Sequence, residues 1–252
     1  MIHLIFFLIF LVIVTSSVSS SSSPLSCKQE SGGFSSNLPY PFGLGEKSEI
    51  KLNCSKIGEI KIGEFVVKNV TSNKILIHFP ANCNRSFDKL NNLYGKNFGV
   101  SSRNSLLLQG CQSPSSKCLI LSSLIENRLG SQSCDISGLS SNITCYIDES
   151  GFEFLDIEKV GNNCSTLLSS VVVDAGNKKV DNNSGTDVAL NFNTLELGWW
   201  LVGNCSCHFN ADCVIVNGTD PHGGGMVRGY RCQCRHGFTG DGFAAATGCR
   251  AG

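Results

Sequence analysis

The feature that most constrains the fold of this 252-residue chain is its cysteine content. There are fourteen cysteines, an even number, and none precedes Cys27. Cytosolic proteins of this size rarely carry so many cysteines outside metal sites, whereas exported proteins use them in disulfides. We therefore expect a disulfide-bonded fold that forms in an oxidising compartment.

The N-terminus also indicates export. An unbroken apolar run from Leu4 to Val14 precedes a serine tract from Ser16 to Ser23. Such a run is too short to span a bilayer, which needs about twenty residues, but it matches the apolar region of a secretory signal peptide. We expect residues 1–23 to be that signal peptide and the rest of the chain to be secreted. No later segment is apolar and long enough to predict a membrane span.

Eight Asn-x-Ser/Thr sequons agree with this compartment. Three of them have cysteine in the middle position and are the weaker candidates: Asn53, Asn163 and Asn204. We predict glycosylation at the others, which are Asn69, Asn84, Asn142, Asn182 and Asn217.

Short alternating runs separated by Gly, Asn and Ser predict strands between Cys27 and Cys164. The predicted inward residues of two such runs are Ile50, Leu52, Ile75, Ile77 and Phe79. One short helix is expected between Phe87 and Tyr94. The predicted fold is mainly β, with a cysteine-rich β domain at residues 24–164, a Ser/Asn/Gly-rich join at 165–194 and a small cysteine-rich module within 195–252.

The formal net charge is zero, which gives no reason to expect a nucleic-acid partner. However, the segment from Pro24 to Cys118 carries twelve Lys and Arg against six Asp and Glu, and the remainder carries eight against fourteen. An uneven but merely solvated surface is the ordinary interpretation. The alternative is a basic face for an acidic partner.

The C-terminal stretches CHFNADC and GYRCQCRHGFTGDGF resemble an EGF-like module. A piece of this size cannot bury enough apolar surface to fold alone, so disulfides would substitute for a core. The resemblance implies the pairs Cys205–Cys213, Cys207–Cys232 and Cys234–Cys249. Cysteine and histidine at these positions could also mimic zinc ligands, but disulfides are favoured in an exported chain. We expect no calcium site, no other metal and no cofactor.

With that module placed, the stretch CKQESGGFSSNLPYPFGLGEKSEIKLNC and the later LELGWWLVGNCSC resemble the extracellular galacturonan-binding region of plant wall-associated receptor kinase-like proteins. The resemblance implies a receptor ectodomain at the extracellular face of the plasma membrane and in the cell wall. It also implies a Cys27–Cys54 disulfide. The pairing of the middle cysteines stays open: Cys83, Cys111, Cys118, Cys134, Cys145 and Cys164.

The kinase motifs of that family do not occur in the sequence, so we expect no enzyme activity and no catalytic residue. Family members continue into a membrane helix and a kinase, whereas this chain stops at Gly252. We therefore expect a truncated or soluble ectodomain.

The resemblance implies an acidic polysaccharide, galacturonan, as partner. Its row of carboxylates could be matched by spaced cations on a β surface. The candidates are Lys51, Lys61, Lys68, Lys74, Arg85 and Arg103. We interpret Tyr40 and Phe42 as packing residues, with stacking on a sugar as the alternative.

Two other functions stay open. A protein or peptide ligand would be favoured by an exposed apolar patch around Trp199 and Trp200. A wall-modifying hydrolase would need two carboxylates at a defined separation, and the sequence nominates no such pair.

Overall fold

The computed structural model describes residues 25–30, 33–111, 120, 122–129, 143–157, 160, 164–175, 188–220 and 225–252. The predicted signal peptide lies outside these ranges. The strands are β1 (Cys27–Glu30), β2 (Gly33–Ser36), β3 (Phe42–Gly43), β4 (Ile50–Lys51), β5 (Asn53–Cys54), β6 (Ile60–Ile62), β7 (Phe65–Val70), β8 (Lys74–His78), β9 (Phe98–Val100), β10 (Asn104–Gln109), β11 (Ile143–Tyr146), β12 (Thr166–Ala175), β13 (Val188–Phe192), β14 (Thr194–Trp199), β15 (Ala211–Asp220), β16 (Gly225–Cys234), β17 (Phe238–Gly240) and β18 (Cys249–Ala251). The helices are α1 (Asp88–Asn91) and α2 (Ser122–Leu129).

The fold is mainly β and disulfide-rich, which confirms the prediction. The short helix expected between Phe87 and Tyr94 is α1, whereas α2 was not predicted. In the part of the chain that the structure describes, no helix has the length and apolarity that a membrane crossing requires.

Six strands form the larger sheet, in the order β5-β6-β7-β8-β14-β9. Successive side chains of a strand point to opposite faces, so an alternating strand buries one face and leaves the other toward solvent. The predicted inward residues follow this rule, because none is more than 2% exposed: Ile50, Leu52, Ile75, Ile77 and Phe79. On two strands of this sheet, Lys61 of β6 and Lys68 of β7 lie on the outward face.

Strand β14 lies inside this sheet and is buried on both faces. It pairs with β8 on one side and with β9 on the other. A second sheet, in the order β11-β10-β12-β13, is joined to it through Asn104 of β10. The Asn104 amide donates to the carbonyl of Glu196 at 2.8 Å, and its Oδ1 accepts from the Glu196 backbone N–H at 2.8 Å.

The two sheets do not follow the predicted division of the chain. The segment predicted as a join contains both β12 and β13, and β12 lies between β10 and β13 in the second sheet. Strand β14, predicted to start the C-terminal segment, is an interior strand of the larger sheet. The predicted boundaries at residues 164 and 195 therefore do not separate two sheets. The centre of the predicted join, residues 176–187, lies outside the described ranges.

The C-terminal segment consists of the β15–β16 hairpin and the small β17–β18 pair, held by three disulfides. These are Cys205–Cys213, Cys207–Cys232 and Cys234–Cys249, the same pairs that the EGF-like resemblance implies. Because these cysteines are bonded to one another, they are not zinc ligands. Elsewhere Cys27 is bonded to Cys54 and Cys111 to Cys164, and Cys83 and Cys145 are also disulfide-bonded.

An aromatic cluster fastens this segment to the larger sheet, and we define it as Tyr40, Phe42, Trp199, Tyr230 and Phe243. The Tyr40 ring lies 4.9 Å from that of Phe243, and the Phe42 ring lies 5.3 Å from that of Trp199, both in edge-to-face arrangements. Phe42 is buried, so it packs in the core and cannot stack on a sugar. The proline-punctuated segment around Tyr40 thus joins the larger sheet to the cysteine-rich C-terminus.

Candidate functional site

Two of the six candidate cations lie on the outward face of the larger sheet, on adjacent strands, and a third lies just before β5 in the separate β3–β4 pair. Lys51 is on β4, Lys61 on β6 and Lys68 on β7. Lys61 is the register partner of Asn53 on one side and of Val66 on the other. Lys61 and Lys68 lie on neighbouring strands, about 4.8 Å apart. Lys51 precedes Asn53, the register partner of Lys61, by two residues. We call Lys51, Lys61 and Lys68 the cation row.

Two members of the cation row form ion pairs at the surface. Lys51 pairs with Glu46, and the Lys61 Nζ lies 3.3 Å from Glu59 Oε2. Exposed pairs of this kind contribute roughly 0–1 kcal/mol, because water solvates both partners. A carboxylate of a ligand can therefore replace the internal carboxylate at small cost.

Lys68 is held differently. It lies at an irregularity in the pairing of β7 with β8, and its ammonium donates to Thr194 Oγ1 at 2.8 Å and to the carbonyl of Asn193 at 3.3 Å. Burial lowers the pKa of Lys68 from its ordinary value. These neutral acceptors fix the ammonium without cancelling its charge.

Lys74 and Arg103 belong to a separate group around the carboxylate of Glu196, whose side chain is 3% exposed. Arg103 Nη2 lies 2.7 Å from Glu196 Oε1, and Lys74 Nζ lies 3.8 Å from Glu196 Oε2 and 3.7 Å from Asp174. A buried carboxylate without cations would be costly, so these two cations compensate a buried charge. They are therefore not part of the cation row.

Sequence reasoning missed Glu196. The available signal is a single acidic residue in the apolar stretch LELGWW, because a carboxylate in a buried strand requires a cationic neighbour. The cationic neighbours are Lys74 and Arg103. Lys74 lies in a strand that was predicted from its alternation.

Arg85 is buried, and this corrects its placement among the surface cations. It is 6% exposed, and its guanidinium carbon lies 3.8 Å from the centroid of the Phe79 ring. Nη1 donates to the carbonyl of Leu168 at 3.0 Å and Nη2 to that of Pro80 at 2.7 Å. Burial lowers the pKa of Arg85 to about 10, so it stays charged at neutral pH. Its role is to tie the end of β8 to β12.

The patch that would favour a peptide ligand is not formed by the two tryptophans. Trp199 and Trp200 are each 1% exposed. Trp200 packs edge-to-face on Phe154, with ring centroids 4.9 Å apart, and Trp199 belongs to the aromatic cluster. Both side chains are core residues.

Clefts in the described part of the chain include two small ones. One, of about 120 Å³, is lined by Asn73, Arg231 and Gln233 among others, and another, of about 190 Å³, lies beside Glu64 and Lys89. Small-molecule sites usually enclose about 300–1,000 Å³. Both of these clefts are below that range.

The Asp241 carboxylate is fully engaged within the C-terminal segment. Its Oδ1 accepts from the backbone N–H of Phe243 at 2.9 Å and of Gly248 at 3.1 Å, and its Oδ2 accepts from that of Thr247 at 2.8 Å. This carboxylate organises the loop between β17 and β18. Among the described residues, no group of three His, Cys, Asp or Glu side chains is placed to hold a metal ion.

Replacing Asp241 with alanine is expected to lower the free energy of unfolding by about 1–3 kcal/mol, because several backbone donors lose their acceptor. Asp241→Asn keeps one acceptor oxygen and should lose less. Asp212→Ala is the matched control, since Asp212 is an exposed carboxylate paired with Arg235. Chemical denaturation measures all three. Equal losses for the two alanine variants would contradict the role given to Asp241.

The described sequons are on the surface: Asn53, Asn69, Asn84, Asn204 and Asn217 are exposed. Asn142, Asn163 and Asn182 lie outside the described residues. Glycosylation at the predicted positions stays a prediction.

Two known proteins are similar to most of this chain. It is 37% identical over 227 residues to wall-associated receptor kinase-like 14 of Arabidopsis thaliana, and 37% identical over 224 residues to wall-associated receptor kinase-like 21 of the same plant. The similarity covers 86% and 84% of this chain but only 30% and 32% of those proteins, so the chain spans about a third of the length of these relatives. No protein-family model matches the chain, and no solved structure matches it. The chain is therefore a homologue of the wall-associated receptor kinase-like proteins, as its cysteine-rich motifs predict.

Proposed function

We propose that this chain is an extracellular, ligand-binding part of a receptor of that family, and that it binds the acidic cell-wall polysaccharide galacturonan through the cation row. The observation that carries the proposal is that Lys61 and Lys68 lie on the outward face of the larger sheet, on the adjacent strands β6 and β7, with Lys51 close by on β4. In this proposal the chain acts by binding alone and catalyses no reaction.

The chemistry favours a polymer over a single sugar. Each exposed cation–carboxylate contact is weak, so one uronate gains little. A polymer presents many carboxylates on one backbone, and after the first contact the others form at a high effective concentration. Affinity should therefore rise with the length of the oligomer.

The test is a charge reversal of the whole row. The variant with Lys51, Lys61 and Lys68 replaced by Glu should bind de-esterified oligogalacturonate at least about tenfold more weakly in calorimetric titration, because three attractions become repulsions. The control variant replaces three other exposed cations, Lys96, Arg128 and Arg250, with Glu, so that the net charge changes equally. Disulfide mapping should show that both variants keep their pairs.

Two further titrations use the parent protein. Exposed charges are screened over about 8–10 Å at physiological salt, so added salt should weaken binding. Methyl-esterified polymer should bind less, because esterification removes the charge and keeps the sugar. The proposal fails if the row variant binds as well as the parent, or if the control loses as much affinity as the row variant.

A further inference from the structure

Two sequons lie beside the cation row: Asn69, which was predicted to be glycosylated, and Asn53, one of the three sequons with cysteine in the middle position. Asn53, on β5, is the register partner of Lys61 and follows Lys51 by two residues. Asn69 follows Lys68 directly, at the irregularity of β7, and is the register partner of Leu76. Both side chains are exposed, and neither makes a hydrogen bond among the described residues.

The strand register determines how close a glycan at Asn53 or Asn69 would be to the lysine side chains. Side chains directly opposite each other in an antiparallel pair have Cβ atoms about 4.5–5.5 Å apart. A sugar on the Asn53 amide would therefore start beside the Lys61 side chain, and one on Asn69 would start beside Lys68. An N-glycan is bulky and extends over the surface around its attachment point.

We propose that N-glycans at Asn53 and Asn69 cover the cation row and set how much of it an acidic polymer can reach. The part concerning the polymer rests on the proposed function, whereas the covering of the lysines does not. The polymer and the glycans compete for one face, so the glycosylated protein binds more weakly than the protein that lacks these two glycans.

Other sequons provide an internal comparison. Asn217 is on β15, in the hairpin of the C-terminal segment. It is exposed but belongs to a different sheet from the cation row. A glycan there leaves the row uncovered, and Asn217→Gln is the matched control.

The experiment uses the full chain secreted from plant cells, with site occupancy measured by mass spectrometry. An amine-acylating reagent is added to five proteins, and the labelling of each lysine is measured. The proteins are the parent, Asn53→Gln, Asn69→Gln, the double variant and Asn217→Gln. The double variant should show severalfold faster labelling of Lys61 and Lys68, while the exposed Lys96 labels at the same rate in every protein. Oligogalacturonate titration should give a higher affinity for the double variant than for the parent or Asn217→Gln.

Labelling and titration separate the two ideas. The covering is overturned if Asn53 and Asn69 are unoccupied in the secreted parent, or if both are occupied and Lys61 and Lys68 label as fast as in the double variant. Faster labelling with no polymer binding by any of these proteins supports the covering and overturns the proposed function. Unchanged labelling with binding that the row reversal abolishes overturns the covering and supports the proposed function.

Discussion

Replacing Phe243 with alanine is expected to lower the free energy of unfolding by about 3–5 kcal/mol, the usual range for a buried phenylalanine. Phe243 is 1% exposed and contacts Tyr40, Trp199 and Tyr230 of the aromatic cluster. The change removes these ring contacts and leaves a cavity between the larger sheet and the C-terminal segment. Chemical denaturation followed by tryptophan fluorescence would measure the loss.

Phe209→Ala is the matched control for this prediction. Phe209 lies in the same segment but is 77% exposed, and its ring centroid lies 4.1 Å from that of His208. Surface substitutions of this kind usually change stability by less than about 0.5 kcal/mol. If both variants lost the same stability, the aromatic cluster would not be what fastens the segment. Limited proteolysis adds a second readout, since Phe243→Ala should expose the C-terminal segment to cleavage first.

Replacing Arg85 with alanine is expected to cost about 2–4 kcal/mol, because the carbonyls of Leu168 and Pro80 lose their charged donor inside the protein. Arg85→Lys should recover only part of this loss. A single ammonium cannot serve both carbonyls while lying flat on the Phe79 ring, as the planar guanidinium does. Thermal unfolding of the two variants and of Lys89→Ala, an exposed control, provides the comparison.

A binding measurement distinguishes this structural role from a role in ligand binding. At a temperature where Arg85→Lys is folded, its affinity for oligogalacturonate should equal that of the parent. If Arg85→Lys lost affinity without losing stability, Arg85 would contribute to ligand binding.

Strand β8, with one buried face, was predictable from the sequence, whereas β12, which is buried on both faces, was not. Ile75 and Ile77 alternate with more exposed residues, and this alternation indicates β8. Strand β12 carries Ser169 and Ser170 in its interior, and its serines made it resemble a linker. Ser169 is fully buried because its hydroxyl donates to the carbonyl of Phe79 at 2.9 Å. Its acceptor is 90 positions away, so no local pattern could indicate it.

Contacts between residues far apart in the sequence also limited the prediction of the candidate site. Residue type and strand position were enough to place Lys51, Lys61 and Lys68 on a solvent-facing surface. They could not separate these lysines from Arg85, because its partner Leu168 is 83 positions away along the chain. The planar guanidinium of Arg85 can serve two acceptors at once, and in this protein both are backbone carbonyls.

The interior position of β14 has a consequence for biosynthesis. Lys68 of β7 and Thr194 of β14 are hydrogen-bonded although they are 126 positions apart, and the larger sheet stays open beside β8 until β14 arrives. A nascent chain that extends only as far as β13 therefore presents an unpaired apolar strand edge, which invites aggregation. Chaperones would have to protect that edge while the ribosome adds the remaining residues. A transcript that ended before Thr194 would encode a sheet with a permanent gap, and its product should be prone to aggregation.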